Sequence, residues 1–595
     1  MKIDDQLTAL EALREKYRAE RDKRIRPEGN RQYGYIGTGK FENYGADPWT
    51  PQVEERATVH DDVDLTILGG GFGGLIAGAF ARKAGIDKIR FIDTAGDFGG
   101  TWYWNRYPGL ACDVESYIYL PLLEEVGTMP SRKYVSGEEI RQHALAIAEH
   151  FNLRRDTLFQ TKIESVNWDD DRELWTVTTS RGDRFDSRYV LVSGGVLQRP
   201  KLPNLPGVED FAGHAFHTSR WDYDYTGGDH TGGLHKLADK RVAIVGTGAT
   251  ALQVVPHLAE HAKELLVVQR TPSTVDVRAD AETDRQWWES LEPGWQNERR
   301  KNFIDIVHGQ GAEQNLVGDS WTDIGPARGM RRLIDSGFSE DPAVAFELAD
   351  FEKMEELRRR VTDLVEDPDT AARLQPWYMH MCKRPGFSDR YLQTFNKPHV
   401  SLVDTEGQGI ERFTAKGFVA NGIEHEVDLI IFATGYEVSF DPATRAGVEI
   451  RGRKGVPLPE YWADGMRTLH GWVTRGYPNL FHMGVLQNAY SVNYTHILEQ
   501  QAAHIMTAVT EAERRGDVLV EPSEESESEW VATIRAQGPA QDEFNAECTP
   551  GYYNSEGKPP RTETLAAGPN EFDRILAEWL ATGGLEEVME PKSQA

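Results

Sequence analysis

The chain has 595 residues and a formal net charge of −29, because 95 Asp and Glu side chains outnumber 66 Lys and Arg. Such an acidic surface repels nucleic acids and anionic membranes, so we expect neither as a partner. The length allows roughly two to four domains with a large buried core. Cys112, Cys382 and Cys548 lie far apart without a CxxC motif. This pattern argues against a disulfide framework and a zinc site, and it favours a reducing compartment.

Residues 1–60 form an N-terminal extension. Within 5–24, the apolar residues Leu7, Leu10, Leu13 and Tyr17 recur at helical spacing on a charged segment, and a loop rich in Gly, Tyr and Pro follows. The pattern predicts a helix and a loop that wrap the body; a loosely ordered tail is the alternative. The extension has no apolar signal-peptide core, so we expect a cytoplasmic protein.

A first dinucleotide-binding unit begins with a predicted strand at 64–68. Gly69, Gly71 and Gly74 follow as a G-x-G-x-x-G loop, and a predicted helix occupies 75–84. Such glycines permit a tight turn and a close approach of a pyrophosphate, which the helix N-terminus attracts. The glycines also argue against reading this uncharged run as a membrane span. The next predicted strand, 88–92, ends at Asp93, where a carboxylate can accept ribose hydroxyls.

A second unit carries a similar loop, with Gly246, Gly248 and, in the third place, Ala251. The strand after its helix ends in Arg270 and Thr271 rather than in an acid. A cation and a hydroxyl at that position favour the 2′-phosphate of NADPH over NADH. A surface salt bridge is the alternative interpretation of Arg270.

The region 275–375 is helical in composition and is typical of an insertion that packs over a site. A strand is predicted at 427–433, and helices are predicted to begin near Asn493 and Ser526. We expect a roomy apolar pocket shaped by the loop 486–493 and by the tryptophans of the insertion: Trp287, Trp288, Trp295 and Trp321.

The stretch FAGHAFHTSRWD between the two units carries Phe211, Gly213, His217, Trp221 and Asp222. This spacing matches F-x-G-x-x-x-H-x-x-x-W-[P/D], which is the fingerprint of the type I Baeyer–Villiger monooxygenases. In this motif the chain resembles that family, which belongs to the class B flavoprotein monooxygenases. The resemblance covers nearly all of the chain after residue 60 and is greatest to the subgroup acting on large cyclic ketones. It implies that the segment couples the two nucleotide domains, with His217 as a structural or conformational residue rather than a general base.

The resemblance also implies one FAD and one NADPH. Asp93 stands where the family usually has Glu, and Tyr552 stands where an aromatic residue, often Trp, touches the nicotinamide. The residues expected at FAD are Gly69, Gly71, Phe72, Gly74, Asp93, Thr101, Trp102, Tyr103, Trp104, Asp113, Tyr119, Ile163 and Tyr494. Those expected at NADPH are Thr247, Gly248, Ala249, Thr250, Ala251, Leu252, Gln253, Arg270, Thr271 and Lys383, with Tyr552 at the nicotinamide.

Arg384, within Cys-Lys-Arg-Pro at 382–385, matches the segment that carries the family's active-site arginine. An arginine stays protonated at any working pH, and it would stabilise negative charge that develops on oxygen beside the flavin. By the same resemblance, Asp113 would orient it. The alternatives are a surface arginine and an aspartate that only caps a helix.

The sequence therefore predicts an α/β protein with two dinucleotide-binding, Rossmann-like domains, a helical insertion and an N-terminal extension. The expected division is an extension at 1–60, the first part of an FAD-binding domain at 61–205, a linker at 206–225, an NADP-binding domain at 226–399 with the insertion at about 275–375, and the second part of the FAD-binding domain with a C-terminal segment at 400–595.

The predicted activity is NADPH- and O2-dependent insertion of one oxygen atom next to the carbonyl of a large cyclic or polycyclic ketone, which gives an ester or lactone. An N- or S-oxygenating flavin monooxygenase and a non-catalytic nucleotide-binding flavoprotein are the alternatives. A disulfide reductase is disfavoured because it needs a redox cysteine pair, which the sequence does not suggest. A monomer and a homodimer are both compatible with the sequence.

Overall fold

The computed structural model describes residues 3–438, 447–558 and 563–592. Within these ranges, the largest sheet has eight strands and contains the first glycine-rich unit. The predicted strands at 64–68 and 88–92 run parallel to each other, with the bounds His60–Leu68 and Ile89–Ile92. In spatial order, the strands are Glu449–Arg451, Ile163–Asp169, Leu174–Thr179, Arg184–Val192, His60–Leu68, Ile89–Ile92 and Thr157–Leu158, with Leu480–His482 beside Arg184–Val192.

A second sheet, of five strands in the described ranges, is parallel throughout and carries the second unit. The carboxyl ends of its strands meet at one edge, where the second glycine loop leaves the central strand. Open parallel sheets bind their ligands at this edge. In spatial order, the strands are Val400–Asp404, Glu264–Gln269, Arg241–Val245, Leu429–Phe432 and His214–His217.

The membership of this second sheet differs from the division expected from the sequence. Val400–Asp404 and Leu429–Phe432 lie beyond residue 399, in the part assigned to the FAD-binding domain, and the linker supplies the edge strand His214–His217. An apolar run shows that a strand is buried but not which sheet it joins, because parallel neighbours are reached by long crossovers. The chain returns to the first sheet only at Glu449–Arg451.

Helices Phe72–Lys83 and Ala249–His261 follow the two glycine loops, as predicted. Within the described part of the chain, no helix combines the length and the apolar character needed to cross a membrane. The helices of the insertion are Arg285–Glu289, Trp295–Val307, Gly325–Asp335, Pro342–Leu364 and Pro368–Leu374. The other long helices are Ile3–Asp22, Gly137–His150, Tyr494–Arg515, Glu524–Glu547 and Pro569–Ala581.

The predicted start near Ser526 is displaced by two residues. Helix Glu524–Glu547 is capped by Ser523, whose hydroxyl accepts a hydrogen bond from the Ser526 backbone at 3.1 Å. Ser523 and Ser526 can each act as an N-cap, and they stand close together here. The cap at Ser523 lets Glu524 and Glu525 lie in the first turn, where the helix dipole favours acidic side chains.

The N-terminal extension wraps the body, which was one of its two interpretations. Leu10 and Tyr17 of helix Ile3–Asp22 are buried, and the Tyr17 ring lies 5.3 Å from the ring of Phe351 in the insertion. Strand Tyr33–Tyr35 pairs antiparallel with Arg199–Pro203. The extension is therefore fixed at both a helix and a strand.

One inference from the sequence is wrong: Cys382 and Cys548 form a disulfide, with an S–S distance of 2.04 Å. The two residues are 166 positions apart, so the fold brings them together and their spacing gave no sign of a pair. Both cysteines are buried in a small apolar cluster with Met354 and Leu357, while Cys112 is free. The cysteine pattern therefore no longer supports a reducing compartment.

Candidate active site

The first glycine loop is packed too closely to accept side chains. A Cβ on Gly74 would lie 2.0 Å from the Gly69 carbonyl oxygen, so the helix packs on its strand only without one. A Cβ on Gly100, whose φ is +54°, would lie 2.7 Å from the Gly71 Cα. Two loops therefore face each other as bare backbone beside the N-terminus of helix Phe72–Lys83, which suits a pyrophosphate.

Asp93 ends its strand as predicted, but both of its oxygens already accept backbone hydrogen bonds. Oδ2 accepts from the Gly70 amide, and Oδ1 accepts from the Ala95 amide at 2.7 Å. Burial raises the pKa of Asp93, and the Ala95 and Gly70 amides oppose this rise. The carboxylate braces the glycine loop, and a contact with ribose stays a prediction.

A cavity of about 1380 Å³ is lined by residues of both units and of the N-terminal extension. Typical small-molecule pockets measure roughly 300–1,000 Å³, so this one has room for more than one ligand. The predicted site residues that line it are Thr101, Trp102, Asp113, Tyr119, Thr247, Gly248, Ala249, Thr250, Gln253, Arg270, Thr271, Lys383, Arg384, Tyr494 and Tyr552.

Other residues predicted to bind the cofactors do not line this cavity. The Tyr103 hydroxyl donates to Asp47 Oδ2 at 2.6 Å, and Trp104 stacks on the Arg220 guanidinium, 3.8 Å from its ring centroid. Both aromatic residues therefore contact protein groups behind the wall formed by Thr101 and Trp102.

Three further predicted cofactor residues belong to hydrophobic cores. Ala251 and Leu252 are buried on the core side of their helix. Ile163 packs with Val166 and Val177 in the core of the first sheet and does not reach the cavity, because it lies on the buried face of its strand.

Arg384 and Asp113 form a two-point ion pair at the cavity wall. Arg384 donates from Nε to Asp113 Oδ2 at 2.6 Å and from Nη2 to Oδ1 at 2.7 Å, and Nη2 also donates to the Val492 carbonyl at 3.3 Å. Among the described residues, none accepts a hydrogen bond from Nη1. Burial would lower the pKa of Arg384, but Asp113 raises it well above its ordinary value. The group is a fixed cation with one nitrogen available to a ligand.

Trp321 supports this ion pair from behind. Its ring centroid lies 5.1 Å from Arg384 Cζ, and its indole N–H donates to the Asp113 carbonyl at 3.0 Å. Trp321 is almost fully buried and does not line the cavity, so its predicted role as a pocket wall is wrong. The other predicted pocket tryptophans also lie off the cavity and pack edge-to-face on one another: Trp287, Trp288 and Trp295.

Two tyrosines near Arg384 were not singled out from the sequence. The hydroxyls of Tyr490 and Tyr553 lie 3.1 Å apart, and both side chains line the cavity. Burial raises the pKa of each, and Arg384 opposes this rise, so both remain neutral hydroxyls at any working pH. Their segments offered a signal, since Tyr490 lies in the predicted pocket loop and Tyr553 follows Tyr552.

An unsatisfied hydroxyl lies beside the second glycine loop. Thr247 Oγ1 donates to the Thr271 carbonyl at 2.7 Å, but the buried Thr271 Oγ1 has no hydrogen-bond partner within the described ranges. Gln253 joins the two units, because it accepts from the Tyr107 hydroxyl at 3.1 Å and donates to the Ala111 carbonyl at 2.9 Å. A buried unpaired hydroxyl is unfavourable, and a nucleotide oxygen would relieve it, so the site fits a nucleotide.

Arg270 is partly buried and forms a salt bridge with Glu556, so the alternative interpretation holds in part, and a contact with a 2′-phosphate stays a prediction. Arg270 donates from Nη2 to Glu556 Oε2 at 2.8 Å and from Nη1 to Gln32 Oε1 at 3.1 Å and Tyr33 OH at 3.0 Å. Burial and then Arg270 lower the pKa of Lys383 to about 8, and Glu556 opposes them. Glu556 was missed because 286 positions separate it from Arg270.

The linker motif holds its own turn together. His217 is fully buried, its Nδ1 accepts from the Ser219 amide at 3.1 Å, and burial lowers its pKa to about 3. The Trp221 indole donates to Thr226 at 3.1 Å, and Asp222 caps the next short helix. A neutral, enclosed imidazole fits the predicted structural role and not that of a general base.

Several known proteins are similar to this chain. A family model described as pyridine nucleotide-disulphide oxidoreductase matches residues 66–290. A Baeyer-Villiger monooxygenase of Streptomyces coelicolor is 48% identical over 98% of both chains. The polycyclic ketone monooxygenase of Thermothelomyces thermophila aligns in structure with a TM-score of 0.91 at 37% identity, covering 98% of this chain and 100% of that one. The OTEMO complex with FAD and NADP aligns with a TM-score of 0.73 at 25% identity, covering 88% of this chain and 98% of that one.

The disulfide does not make the chain a disulfide reductase. Cys382 and Cys548 lie outside the matched range 66–290, and neither lines the cavity. A redox pair would have to contact the flavin, so the pair found here is a structural bond.

Proposed function

Because the chain belongs to the Baeyer–Villiger monooxygenase family, we propose that its cavity accepts large cyclic or polycyclic ketones and that Arg384 is the cation of its reaction site. The enzyme inserts one oxygen atom of O2 beside a ketone carbonyl and gives an ester or lactone, with FAD and NADPH as cofactors. Family membership sets aside an N- or S-oxygenating enzyme and a non-catalytic flavoprotein.

The residues present fit both cofactors. When bound, FAD supplies the redox chemistry, with electrons from NADPH. The facing glycine loops would hold its pyrophosphate, and Trp102 and Tyr119 would form the wall beside it, since the Trp102 indole donates to the Tyr119 hydroxyl at 3.0 Å and so fixes both rings. The second glycine loop, with the unpartnered Thr271 hydroxyl, would hold the nicotinamide nucleotide.

The observation that carries the proposed role of Arg384 is its available Nη1. Oxygen insertion develops negative charge on oxygen, and a preorganised cation in a site that excludes water stabilises that charge. Asp113 and Val492 hold the guanidinium through Nε and Nη2, so Nη1 can meet the charge without reorientation. The Tyr490 and Tyr553 hydroxyls offer further neutral donors at the same wall.

The proposed substrate class rests on the cavity and on a relative. The cavity has apolar side chains from the insertion, from the segment directly after it and from the C-terminal part of the chain, including Phe346, Met379, Met381 and Leu565. Apolar walls bury ligand surface while a few polar groups fix orientation. The enzyme of Thermothelomyces thermophila, which aligns in structure with a TM-score of 0.91, is named for polycyclic ketones.

A ketone panel tests this proposal. FAD-loaded enzyme is given NADPH with cyclohexanone, cyclopentadecanone or a steroid ketone, and NADPH consumption and ester formation are measured together. We expect kcat/KM to be about tenfold or more higher for the large ketones, since each buried methylene contributes roughly 1–3 kcal/mol. A preference for cyclohexanone would contradict the substrate class but not the family.

We also propose the cytoplasm as the place of action and a monomer or homodimer as the working form. The reaction consumes NADPH, and the net charge of −29 opposes larger self-assemblies. Light scattering on the purified protein measures the assembly. Fractionation of the producing cells tests the location. Disulfides such as Cys382–Cys548 are rare in the cytosol, so recovery of the protein outside the cytoplasm would contradict this proposal.

A further inference from the structure

Charged side chains cluster at the carboxyl end of the second sheet, and cations outnumber anions. Glu556 accepts from Arg270 at 2.8 Å and from Lys201 Nζ at 3.4 Å, and both Lys201 and Glu556 are almost fully buried. Lys383 belongs to the same cluster, since its pKa responds to both Arg270 and Glu556. Two cations therefore pair with one buried carboxylate, and a third acts on it electrostatically without a direct contact.

The N-terminal extension adds a fourth cation, Arg26. This half-buried side chain lines the cavity, and its Nη2 lies 3.2 Å from the position that a Cβ on Gly409 would occupy. Burial and then the nearby Arg270 lower the pKa of Arg26. No residue within the described ranges forms a hydrogen bond or an ion pair with its guanidinium. Arg26 thus lies next to another cation without a counter-ion of its own.

Two contacts hold the extension against Arg270 on either side of Arg26. Arg24, paired with Glu20 at 2.9 Å, donates from Nε to the Arg270 carbonyl at 3.1 Å. The Tyr33 hydroxyl accepts from Arg270 Nη1 at 3.0 Å. Arg26 lies between these two anchors in the sequence, so the fold fixes its position beside Arg270.

Arg270 directly follows the strand Glu264–Gln269, at the edge where the ribose of a bound dinucleotide comes to lie. Of its five N–H donors, three serve Gln32, Tyr33 and Glu556. We propose that Arg26 is a ligand of the 2′-phosphate of NADPH, which the N-terminal extension places beside the two remaining donors of Arg270. This rests on the proposed NADPH site. A phosphate with a charge of about −1.5 to −2 matches the excess of cations around Glu556.

Calorimetric titration of the FAD-loaded enzyme with adenosine 2′,5′-bisphosphate and with 5′-AMP separates the 2′-phosphate from the rest of the nucleotide. The variants are Arg26→Ala, Arg26→Lys and the matched control Arg31→Ala, which removes the same charge from an exposed position of the same extension. FAD content and thermal midpoint verify the fold. Arg26 has no hydrogen bond or ion pair with the described residues, so we expect both to match the unmodified enzyme.

Arg26→Ala should weaken bisphosphate binding about tenfold, as for one charge-assisted hydrogen bond, and should leave 5′-AMP binding within about twofold. Arg26→Lys should recover part of the loss, and Arg31→Ala should show none. Equal losses for both nucleotides, or no loss, would overturn the role of Arg26. If the unmodified enzyme itself does not prefer the bisphosphate, the NADPH site fails and this proposal fails with it.

Discussion

Two partly buried arginine–carboxylate pairs line one cavity and differ in their surroundings. Arg384 and Asp113 share two short hydrogen bonds, and the one positive charge is neutralised by the one negative charge. Arg270 and Glu556 share one hydrogen bond. The same carboxylate also forms an ion pair with Lys201 and raises the pKa of Lys383. The first pair is balanced, whereas the second is embedded in excess positive charge.

The difference indicates two kinds of task. A balanced pair does not attract a stable anion strongly, but it presents an oriented cation to charge that develops only during a reaction. An unbalanced cluster attracts an anion that is present in the ground state. We therefore expect changes at Arg384 to act on the rate of oxygen insertion and changes at Arg270 to act on nucleotide affinity.

The largest effect is expected for Arg384→Ala. Removal of one electrostatic donor at a developing charge commonly reduces the rate by about 10²–10³-fold, and a full charge should cost at least that. FAD content and bisphosphate affinity should stay near those of the unmodified enzyme. Arg384→Lys should rescue poorly because an ammonium lacks the planar fork that holds Asp113, and Asp113→Ala should act in the same direction but less severely.

Stopped-flow flavin absorbance combined with ester yield measures this effect. Flavin reduction should persist in Arg384→Ala while ester yield falls to background. Ester formation at nearly the unmodified rate would show that Arg384 is not the cation of the reaction site.

A smaller effect, on affinity alone, is expected for Arg270→Ala. A charge-assisted hydrogen bond contributes roughly 1.5–3 kcal/mol, so NADPH affinity should fall about tenfold or more. Ester formation at saturating NADPH should remain within about twofold, which distinguishes this site from that of Arg384. Equal use of NADPH and NADH by the unmodified enzyme would remove the basis for this assignment.

The sequence predicted the parts of both sites that local patterns encode. The glycine loops, their strands and Arg270 follow from short-range spacing, and Asp113 as the partner of Arg384 followed from the family motif. Glu556, Arg26 and the disulfide could not be predicted, because contacts over 166 to 286 positions exist only in the folded chain. The tryptophans of the insertion were predicted to line the pocket but do not, since an aromatic side chain fills a core as readily as it lines a pocket.

A pH titration examines the excess charge at the second site. The pKa of Lys383 is about 8 without ligand, so the side chain is mostly charged at pH 7 and mostly neutral at pH 9. A bound phosphate favours the charged form, so bisphosphate affinity should fall as the pH rises through 8, by about three- to fivefold. The phosphate itself is already a dianion in this range, since its second pKa is about 6.

In this titration, 5′-AMP serves as the ligand control and Lys383→Met as the protein control, and both should give nearly flat profiles. An unchanged profile in Lys383→Met would assign the titration to another group.

The smallest functional effect should come from the disulfide, which joins the two sites. Cys382 directly precedes Lys383 and Arg384, and Cys548 begins the segment that carries Glu556. The double variant Cys382→Ala/Cys548→Ala should lose about 2–4 kcal/mol of unfolding free energy, while Cys112→Ala, at a free and buried cysteine, controls for loss of a thiol side chain. Because neither paired cysteine lines the cavity, the rate of oxygen insertion and the bisphosphate affinity should each change by no more than about twofold. Any such change should affect both quantities to a similar extent. A selective loss of oxygen insertion would show that the bond serves the Arg384 loop, whereas a selective loss of affinity would assign it to Glu556.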